Sequence, residues 1–331
     1  MDPKIASLFN QTILDIACQR FSIKTDDLKL LDGFESFIYE FNQQKGDFIL
    51  RLSHSSRRTV EMIHGEVDWI NYLVDHGVTA SRAVLSGSNN LVELIDDGHN
   101  GHFLCTVFEK AHGGPATEEN LNDRLFFKYG KLLGQMHQLA KTYVPSNPAW
   151  KRYSWDGPEN NSPDRQLGIN ETKIWSIYHA LFTHLQALPI DAEGYGLIHQ
   201  DAHLGNLFID ENYNLTLFDF DDCVYGHFIY DIAMVLSYLA YGKPNQSEFT
   251  EHFLRVFFKG YEEFNHLDPK WLKEIPYFLK LREIDLFAQI IFAMGEEPDD
   301  DWCKQYLLNR HEKIENNIPF IDFDFDSFNL I

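Results

Sequence analysis

The stretch Leu197-Ile198-His199-Gln200-Asp201-Ala202-His203-Leu204-Gly205-Asn206-Leu207-Phe208-Ile209 decides how this chain is read. It is followed, across Asp210-Glu211-Asn212-Tyr213-Asn214, by Leu215-Thr216-Leu217-Phe218-Asp219-Phe220-Asp221-Asp222. In each, a short apolar run is interrupted or followed by a polar cluster. Runs of this length between turn residues read as buried strands. Asp201, Asn206 and Asp219 therefore stand where strands end and loops begin, which is where a rigid scaffold holds groups for chemistry.

These residue types suit phosphoryl transfer. Mg2+ takes hard oxygen ligands, usually one or two carboxylates together with substrate phosphates. Asn206 and Asp219 offer an amide oxygen and a carboxylate. Asp221 is a further candidate metal carboxylate, for a second ion or for orienting the ligands of the first. Asp201 can orient an attacking hydroxyl and accept its proton, with His199 bracing the catalytic loop. Kinase catalytic and metal loops read His-x-Asp-x-x-x-x-Asn and then, after a short hairpin, Asp. His199, Asp201, Asn206 and Asp219 fit that pattern. An acidic loop pair that only caps strands would explain the residue types, but not the joint agreement of spacing and strand context.

Two departures from protein kinases narrow the reading. Gln200 stands where an Arg is usual, and Asp221 where the Gly of Asp-Phe-Gly is usual. The loop resembles that of the aminoglycoside phosphotransferase and choline kinase family, His-Gly-Asp-Leu-His-Pro-Gly-Asn, whose metal motif is Asp-Phe followed by an acid. Here Gln200 replaces the Gly and Leu204 the Pro, and neither change removes a catalytic group. Asp231-Ile232-Ala233 matches the family's Asp-Ile/Leu-Ala helix start, and the resemblance covers most of residues 20–240. It implies a two-lobe, protein kinase-like α+β fold with an antiparallel-sheet N-lobe and a mainly helical C-lobe. Residues 1–111 would form the nucleotide-binding lobe and 112–331 the catalytic and acceptor-binding lobe, with ATP and Mg2+ as cofactors.

Composition is consistent with this. The chain has 331 residues, 44% of them hydrophobic, ample for two lobes. A formal net charge of -22 argues against nucleic acid and anionic membranes as partners. ATP is itself a polyanion, so its site must be locally positive or rely on the metal and backbone amides. The surplus carboxylates favour a cationic or polyhydroxy acceptor. Cys18, Cys105, Cys223 and Cys303 are far apart in sequence and read as reduced, buried thiols rather than disulfides or a zinc site. No signal peptide opens the chain and no run of 18 apolar residues occurs, which suggests a soluble cytoplasmic protein.

In the N-terminal part, helical apolar spacing predicts a helix over 4–21 and a second over 58–76. Residues 28–52 read as antiparallel strands about the turn Gln43-Gln44-Lys45-Gly46. The stretch Asp32 to Tyr39 lies where a kinase covers the ATP phosphates, although it has a single glycine. Backbone amides around Gly33, Phe34, Glu35 and Ser36 can approach phosphate there. Strand 47–52 alternates, with Phe48, Leu50 and Leu52 on one face and Ile49 and Arg51 on the other. Kinases place a Lys here for the α- and β-phosphates. Arg51 keeps the charge and adds a bidentate fork. A helix acid should hold this cation. Among Glu61, Glu66 and Asp68, Glu66 is chosen because Glu66 to Leu73 resembles the family's Glu-x-x-Trp-Leu helix. By the same resemblance, the strand Phe103–Phe108 leads into a hinge where backbone groups of Glu109 and Ala111 would hold adenine.

In the C-terminal part, periodicity predicts helices over 118–141, 171–187, 230–240, 248–264 and 270–294. Leu133 to His137 resembles the family's Leu-Gly-x-x-x-His, with His137 read as packed rather than ligating. Asp231 reads as a stabilising acid at a helix start. A long loop over 143–168, carrying Trp155, would overhang the substrate site. In the resembled family the C-terminal helices form the acceptor site. The acceptor candidates here are His203, Trp155, Tyr277, Arg282, Glu283 and Asp285. The tail 320–326 alternates in strand fashion. The expected activity is transfer of the ATP γ-phosphate to a hydroxyl of a small molecule: an amino alcohol, a sugar, homoserine or an aminoglycoside. A Ser/Thr protein acceptor, as in a bacterial stress-response kinase of this branch, and a nucleotide-binding regulator that has lost catalysis are the alternatives.

Overall fold

The computed structural model describes residues 3–31, 33, 35–157 and 171–330. In chain order its helices and strands are α1 (Pro3–Leu8), α2 (Gln11–Phe21), β1 (Lys29–Leu31), β2 (Phe37–Gln43), β3 (Gly46–His54), α3 (Val60–Asp75), β4 (Ala83–Val84), β5 (Glu93–Asp96), β6 (His102–Glu109), β7 (Gly114–Pro115), α4 (Asp123–Ala140), α5 (Thr172–Gln186), β8 (Tyr195–Ile198), β9 (Leu207–Ile209), β10 (Leu215–Leu217), β11 (Val224–His227), α6 (Phe228–Ala240), α7 (Gln246–Tyr261), α8 (Ile275–Met294), α9 (Asp301–Leu307) and α10 (Arg310–Glu315). They form two compact units. The first comprises 1–116, 142–152 and 205–223; the second comprises 117–141, 153–204 and 224–331.

The first unit is built on an antiparallel sheet of order β1-β2-β3-β6-β4, with β5 also paired to β6. Its register is set by the β2–β3 hairpin, closed at Gln43↔Gly46. Gly46 sits at φ 136°, a conformation open to glycine and strained for other residues. Alternation along β3 works as the sequence predicts. Phe48, Leu50 and Leu52 enter the core with Phe41, Phe103 and Val107, while Ile49 and Arg51 face a cavity. The expected first helix is broken: α1 ends at Leu8, and Asn10 caps α2 by accepting from the Ile13 N–H at 3.2 Å. An Asn side chain offers the backbone this N-cap geometry in competition with helix continuation. α3 starts where its cap dictates, with Thr59 Oγ1 accepting from the Met62 N–H. A small sheet of order β10-β9-β7 carries the hairpin between Asn206 and Asp219.

The second unit is mainly helical, with β8 and β11 paired through Leu197↔Tyr225 and Ile198↔Val224. Helices α4 and α7 cross at near contact. A Cβ on Gly130 would lie 1.9 Å from the Phe257 carbonyl oxygen, and one on Gly260 would lie 1.9 Å from that of Phe127. The predicted helix over 270–294 opens instead with a 3-10 turn, Pro269–Glu274, ahead of α8. The tail forms no strand among the described residues; its rings pack on one another, with Phe323 and Phe325 4.8 Å apart. Of the expected long loop over 143–168, residues 158–168 lie outside the described residues. Among those described, no helix is long and apolar enough to cross a membrane.

Candidate active site

In the first unit, one cavity of about 350 Å³ gathers residues from distant parts of the chain. Apolar walls come from Leu31, Ile38, Ile49, Phe108, Phe208 and Phe218. Arg51, Glu66, Asn206 and Asp219 line it too. A mostly apolar pocket with a few convergent polar groups is the usual form of a small-ligand site. Arg51 and Glu66, predicted as a pair, form a buried bidentate ion pair: Nη1 donates to Oε1 at 2.8 Å and Nη2 to Oε2 at 2.6 Å. Arg51 Nε is buried without a protein partner among the described residues. Burial alone would lower its pKa, but Glu66 and the Asp221 and Asp219 carboxylates outweigh this and keep the guanidinium charged.

The predicted phosphate-covering turn is described in part. Phe34 lies outside the described residues. Gly33 has no room for a side chain, since a Cβ would lie 2.2 Å from the Ser36 carbonyl oxygen. Ser36 Oγ is 3.0 Å from Ser53 Oγ on β3, and Glu35 pairs with Arg57. At the expected adenine hinge, Phe108, Lys110 and Ala111 line the cavity. The Glu109 N–H is committed to the Arg82 carbonyl at 2.8 Å, so it is not a donor for a base.

Asn206 and Asp219 are brought together by the β9–β10 hairpin, where the Phe218 N–H donates to the Asn206 carbonyl at 3.0 Å. Asp219 is held at φ 62°, a left-handed strain of the kind that clusters at functional sites. Burial and the neighbouring Asp221 carboxylate push its carboxyl up to about 7, against the pull of Arg51. A group in this state favours a nearby cation. Asp221 spends Oδ2 on Arg57 and on Arg58 Nε, the latter at 3.1 Å, while its Oδ1 is buried with no partner among the described residues. Burial raises Asp221, but Arg58, Arg57, Arg51 and Arg152 together hold it far below the usual carboxylate range. A hard divalent cation thus fits the donor set: the Asn206 amide oxygen, the Asp219 carboxylate and the orphan Asp221 Oδ1.

Three arginines escape motif reading. Arg57 and Arg58 follow β3, and Arg58 also pairs with Asp222. Arg152 clamps three carbonyls, Met62 at 2.9 Å, Asp221 at 2.6 Å and Cys223 at 2.7 Å. The Arg57-Arg58 dipeptide in so acidic a chain was the available signal. Cys223 is a buried thiol pushed up to about 12 by burial, which leaves it unreactive.

In the second unit, Asp201 sits in a charged cluster. Its Oδ1 accepts from Arg282 Nη2 at 2.8 Å, and His203 Nε2 lies 3.4 Å from Oδ2. Burial raises the Asp201 carboxyl, but Arg282, His203 and His199 outweigh it and hold it well below the usual range. Arg282 also donates to the Tyr238 hydroxyl at 2.8 Å, and the His203 ring stacks on Tyr238 with centroids 4.3 Å apart. Tyr238 was missed; its only signal is that it lies two helical turns beyond Asp231 on one face of α6.

Asp231 ties down the backbone of the loop that carries Asp201. Fully buried, it accepts from the His199 N–H at 2.9 Å, the Gln200 N–H at 2.7 Å and His137 Nε2 at 3.2 Å. His137 is packed, as read from the sequence, with Nδ1 2.9 Å from the Tyr261 hydroxyl. Gln200, where the resembled family has a glycine, takes φ 69°, in the left-handed region that favours glycine. Asp231→Ala should cost about 3 kcal/mol or more, because it strands three buried donors. The urea midpoint should fall and kcat should drop with it; a variant as stable as wild type would refute this account.

The acceptor candidates divide. His203, Arg282 and Asp285 are brought to one place. Asp285 lies one turn beyond Arg282 on α8, and burial pushes its carboxyl up to about 7 against Arg282. The others are corrections. Trp155 is a core residue, 6% exposed, with Phe182, His227 and Phe278 around its ring. Tyr277 lies on the opposite face of α8 from Arg282, its ring 4.1 Å from that of His184. Glu283 is buried between Lys280 and Arg310, at 2.5 and 2.6 Å, where it ties α8 to α10.

Asp285 also predicts a pH effect. Its folded pKa lies above the unfolded value, so the folded state binds the proton more tightly. Its contribution is full below the unfolded pKa of about 3.9 and is lost as pH rises through about 7. Asp285→Asn should therefore gain stability relative to wild type between pH 5 and pH 8 in urea unfolding. Parallel pH profiles for the two proteins would contradict this.

Known proteins resemble this chain in sequence and fold. The model of the phosphotransferase enzyme family APH matches residues 27–272. The amicoumacin kinase of Bacillus subtilis (strain 168) is 34% identical over 333 residues, covering 98% of this chain and 97% of that protein. The solved amicoumacin kinase hAmiN, in complex with AMP-PNP, Ca2+ and Ami, superposes with a TM-score of 0.94 at 32% identity, covering 99% of this chain and 100% of that one. A microcompartment-associated aminopropanol kinase shares the fold, with a TM-score of 0.72 at 22% identity over 92% of this chain and 95% of that one. With the two-lobe α+β architecture of these kinases, the chain belongs to the phosphotransferase enzyme family and is a kinase that acts on a hydroxyl acceptor.

Proposed function

We propose that this protein transfers the γ-phosphate of ATP, with Mg2+, to a hydroxyl of a small amine-bearing molecule of the amicoumacin type. The observation that carries the donor half is the joining of Arg51, Glu66, Asn206 and Asp219 in one cavity. The acceptor half is supported by full-length similarity to amicoumacin kinases and by Asp285 beside Arg282, the partner of Asp201, a carboxyl able to face a cationic amine. Residues 1–111 would hold the nucleotide, and 112–331 would carry catalysis and the acceptor.

Each residue has a defined task. The apolar walls receive the base, with the Ala111 N–H as a donor to it. Arg51, locked by Glu66, presents its free Nε to the phosphates. Asn206, Asp219 and Asp221 Oδ1 would hold the metal, whose charge, when bound, neutralises the phosphoryl oxygens. Asp201 orients the acceptor hydroxyl and takes its proton late, as the new P–O bond forms, so it needs no raised pKa. His199 and Asp231 keep the loop backbone in place. Catalysis is then mainly positioning and charge stabilisation.

The test is acceptor-dependent ADP release with Mg·ATP. The panel would hold amicoumacin, amino alcohols, sugars, aminoglycosides, homoserine and a generic Ser/Thr protein. Release with amicoumacin that exceeds the rest supports the reading. Release with the protein alone would replace it with a protein kinase, and nucleotide binding without release to any acceptor would favour a regulator.

A further inference from the structure

Arg57 joins two parts of the first unit, the turn after Gly33 and the stretch just after Asp219. One nitrogen, Nη1, donates to Asp221 Oδ2 on the metal loop, and Nη2 pairs with Glu35 on the turn after Gly33. Its Nε is buried and has no protein partner among the described residues. Nη2 also lies 3.9 Å from Asp222 Oδ1, and the neighbouring cations have partners of their own. Arg51 has both terminal nitrogens on the buried Glu66. Arg58 divides between Asp221 and Asp222, and Arg152 is taken up by three carbonyls.

The partners of Arg57 are expendable to different degrees. Glu35 is 38% exposed, and an exposed ion pair contributes little, because water solvates both charges well when it opens. Asp221 keeps Arg58 at 3.1 Å if Arg57 leaves. The Glu35 contact of Arg57 can thus open at low cost. A phosphate with several charged oxygens suits the guanidinium fork better than one exposed carboxylate. In a chain of net charge -22, a polyanionic substrate needs such a mobile cation.

We propose that Arg57 is a second donor-phosphate ligand, parked on Glu35 in the free protein and transferred to the terminal phosphate of the bound nucleoside triphosphate. The inference rests on the nucleotide reading above. It makes Glu35 a competitor for the arginine rather than a contact for the substrate. It also gives the protein a way to tell triphosphate from diphosphate, because only the triphosphate carries the group that draws Arg57 off.

The experiment is calorimetric titration with a non-hydrolysable triphosphate analogue and with ADP, both with Mg2+. The proteins are wild type, Arg57→Gln, Arg57→Lys and Glu35→Gln, with each melting temperature recorded. Arg57→Gln should weaken the triphosphate by about 10- to 100-fold, the loss of one or two charge-assisted hydrogen bonds. It should leave ADP within about threefold. Arg57→Lys, which keeps charge without the fork, should fall between. Glu35→Gln should bind the triphosphate at least as tightly as wild type. Equal losses for both nucleotides, or a lowered melting temperature with unchanged binding, would make Arg57 a structural tie and overturn the proposal. If wild type binds neither nucleotide, the nucleotide reading falls first and takes this one with it.

Discussion

Asp201→Asn is expected to lower kcat by about a hundred- to ten-thousand-fold, while Mg·ATP binding and the melting temperature stay near wild type. The asparagine keeps a carbonyl oxygen in the position where Arg282 Nη2 now donates to Oδ1, so the local hydrogen bond survives. What disappears is the acceptor for the hydroxyl proton. The loss should therefore fall on kcat and leave the nucleotide Kd untouched. The pH profile gives a second check. Burial works to raise the Asp201 carboxyl, but Arg282, His203 and His199 hold it below the ordinary range. Wild-type kcat should then show no limb from Asp201 between pH 5 and 8. A variant with wild-type turnover would remove Asp201 from the chemistry, and one that loses nucleotide binding as well would mark a folding defect.

Glu66→Gln is the second large effect. Arg51 and Glu66 are both nearly inaccessible, at 7% and 1% side-chain exposure. Removing one charge of a buried pair leaves the other uncompensated, at a cost of about 3–5 kcal/mol. The urea midpoint should fall accordingly, and Arg51 should lose the orientation that presents Nε to the cavity, so the KM for ATP should rise. The double variant Arg51→Met/Glu66→Leu separates the two roles. Apolar residues of similar volume often match or exceed the stability of a buried ion pair, so this protein should regain most of the loss. It should not regain nucleotide affinity. Recovery of both would mean that the pair only supports packing.

The loops that carry Asp201, Asn206 and Asp219 were legible as loops because they are local. Asn206 and Asp219 flank one hairpin, and backbone pairing of Leu207–Ile209 with Leu215–Leu217 is enough to bring them together, while His199 and Asp201 follow directly on the strand Tyr195–Ile198. The Arg51–Glu66 pair was legible for a similar reason. Period-two alternation on β3 and period-3.6 spacing on α3 aim one side chain from each element at the same side. Trp155 and Tyr277 failed because a rich aromatic loop and an exposed helix residue carry no signal for what they pack on. Glu283 failed because the sequence does not show that Lys280 and Arg310 converge on it. The break in the first helix turned on one side chain: Asn10 can cap a helix as readily as continue one, and the hydrophobic stripe runs across both alternatives.

By itself, the sequence determined the fold class and the strands and helices around Arg51, Glu66, Asn206 and Asp219, because strand alternation, helical period and turn chemistry act over a few residues. The tertiary structure decided which charges meet. It set Arg57 between Glu35 and Asp221, Arg282 on Asp201, and Asp231 under the backbone of the catalytic loop. Asp221 and Asp219 stand two residues apart with the same side chain. Yet burial and the like-charged neighbour push one carboxyl up, while arginines from distant parts of the chain hold the other down. The charge state of a buried carboxylate depends on solvent exclusion and on the nearest opposite charge in space, and neither is a property of the neighbouring sequence.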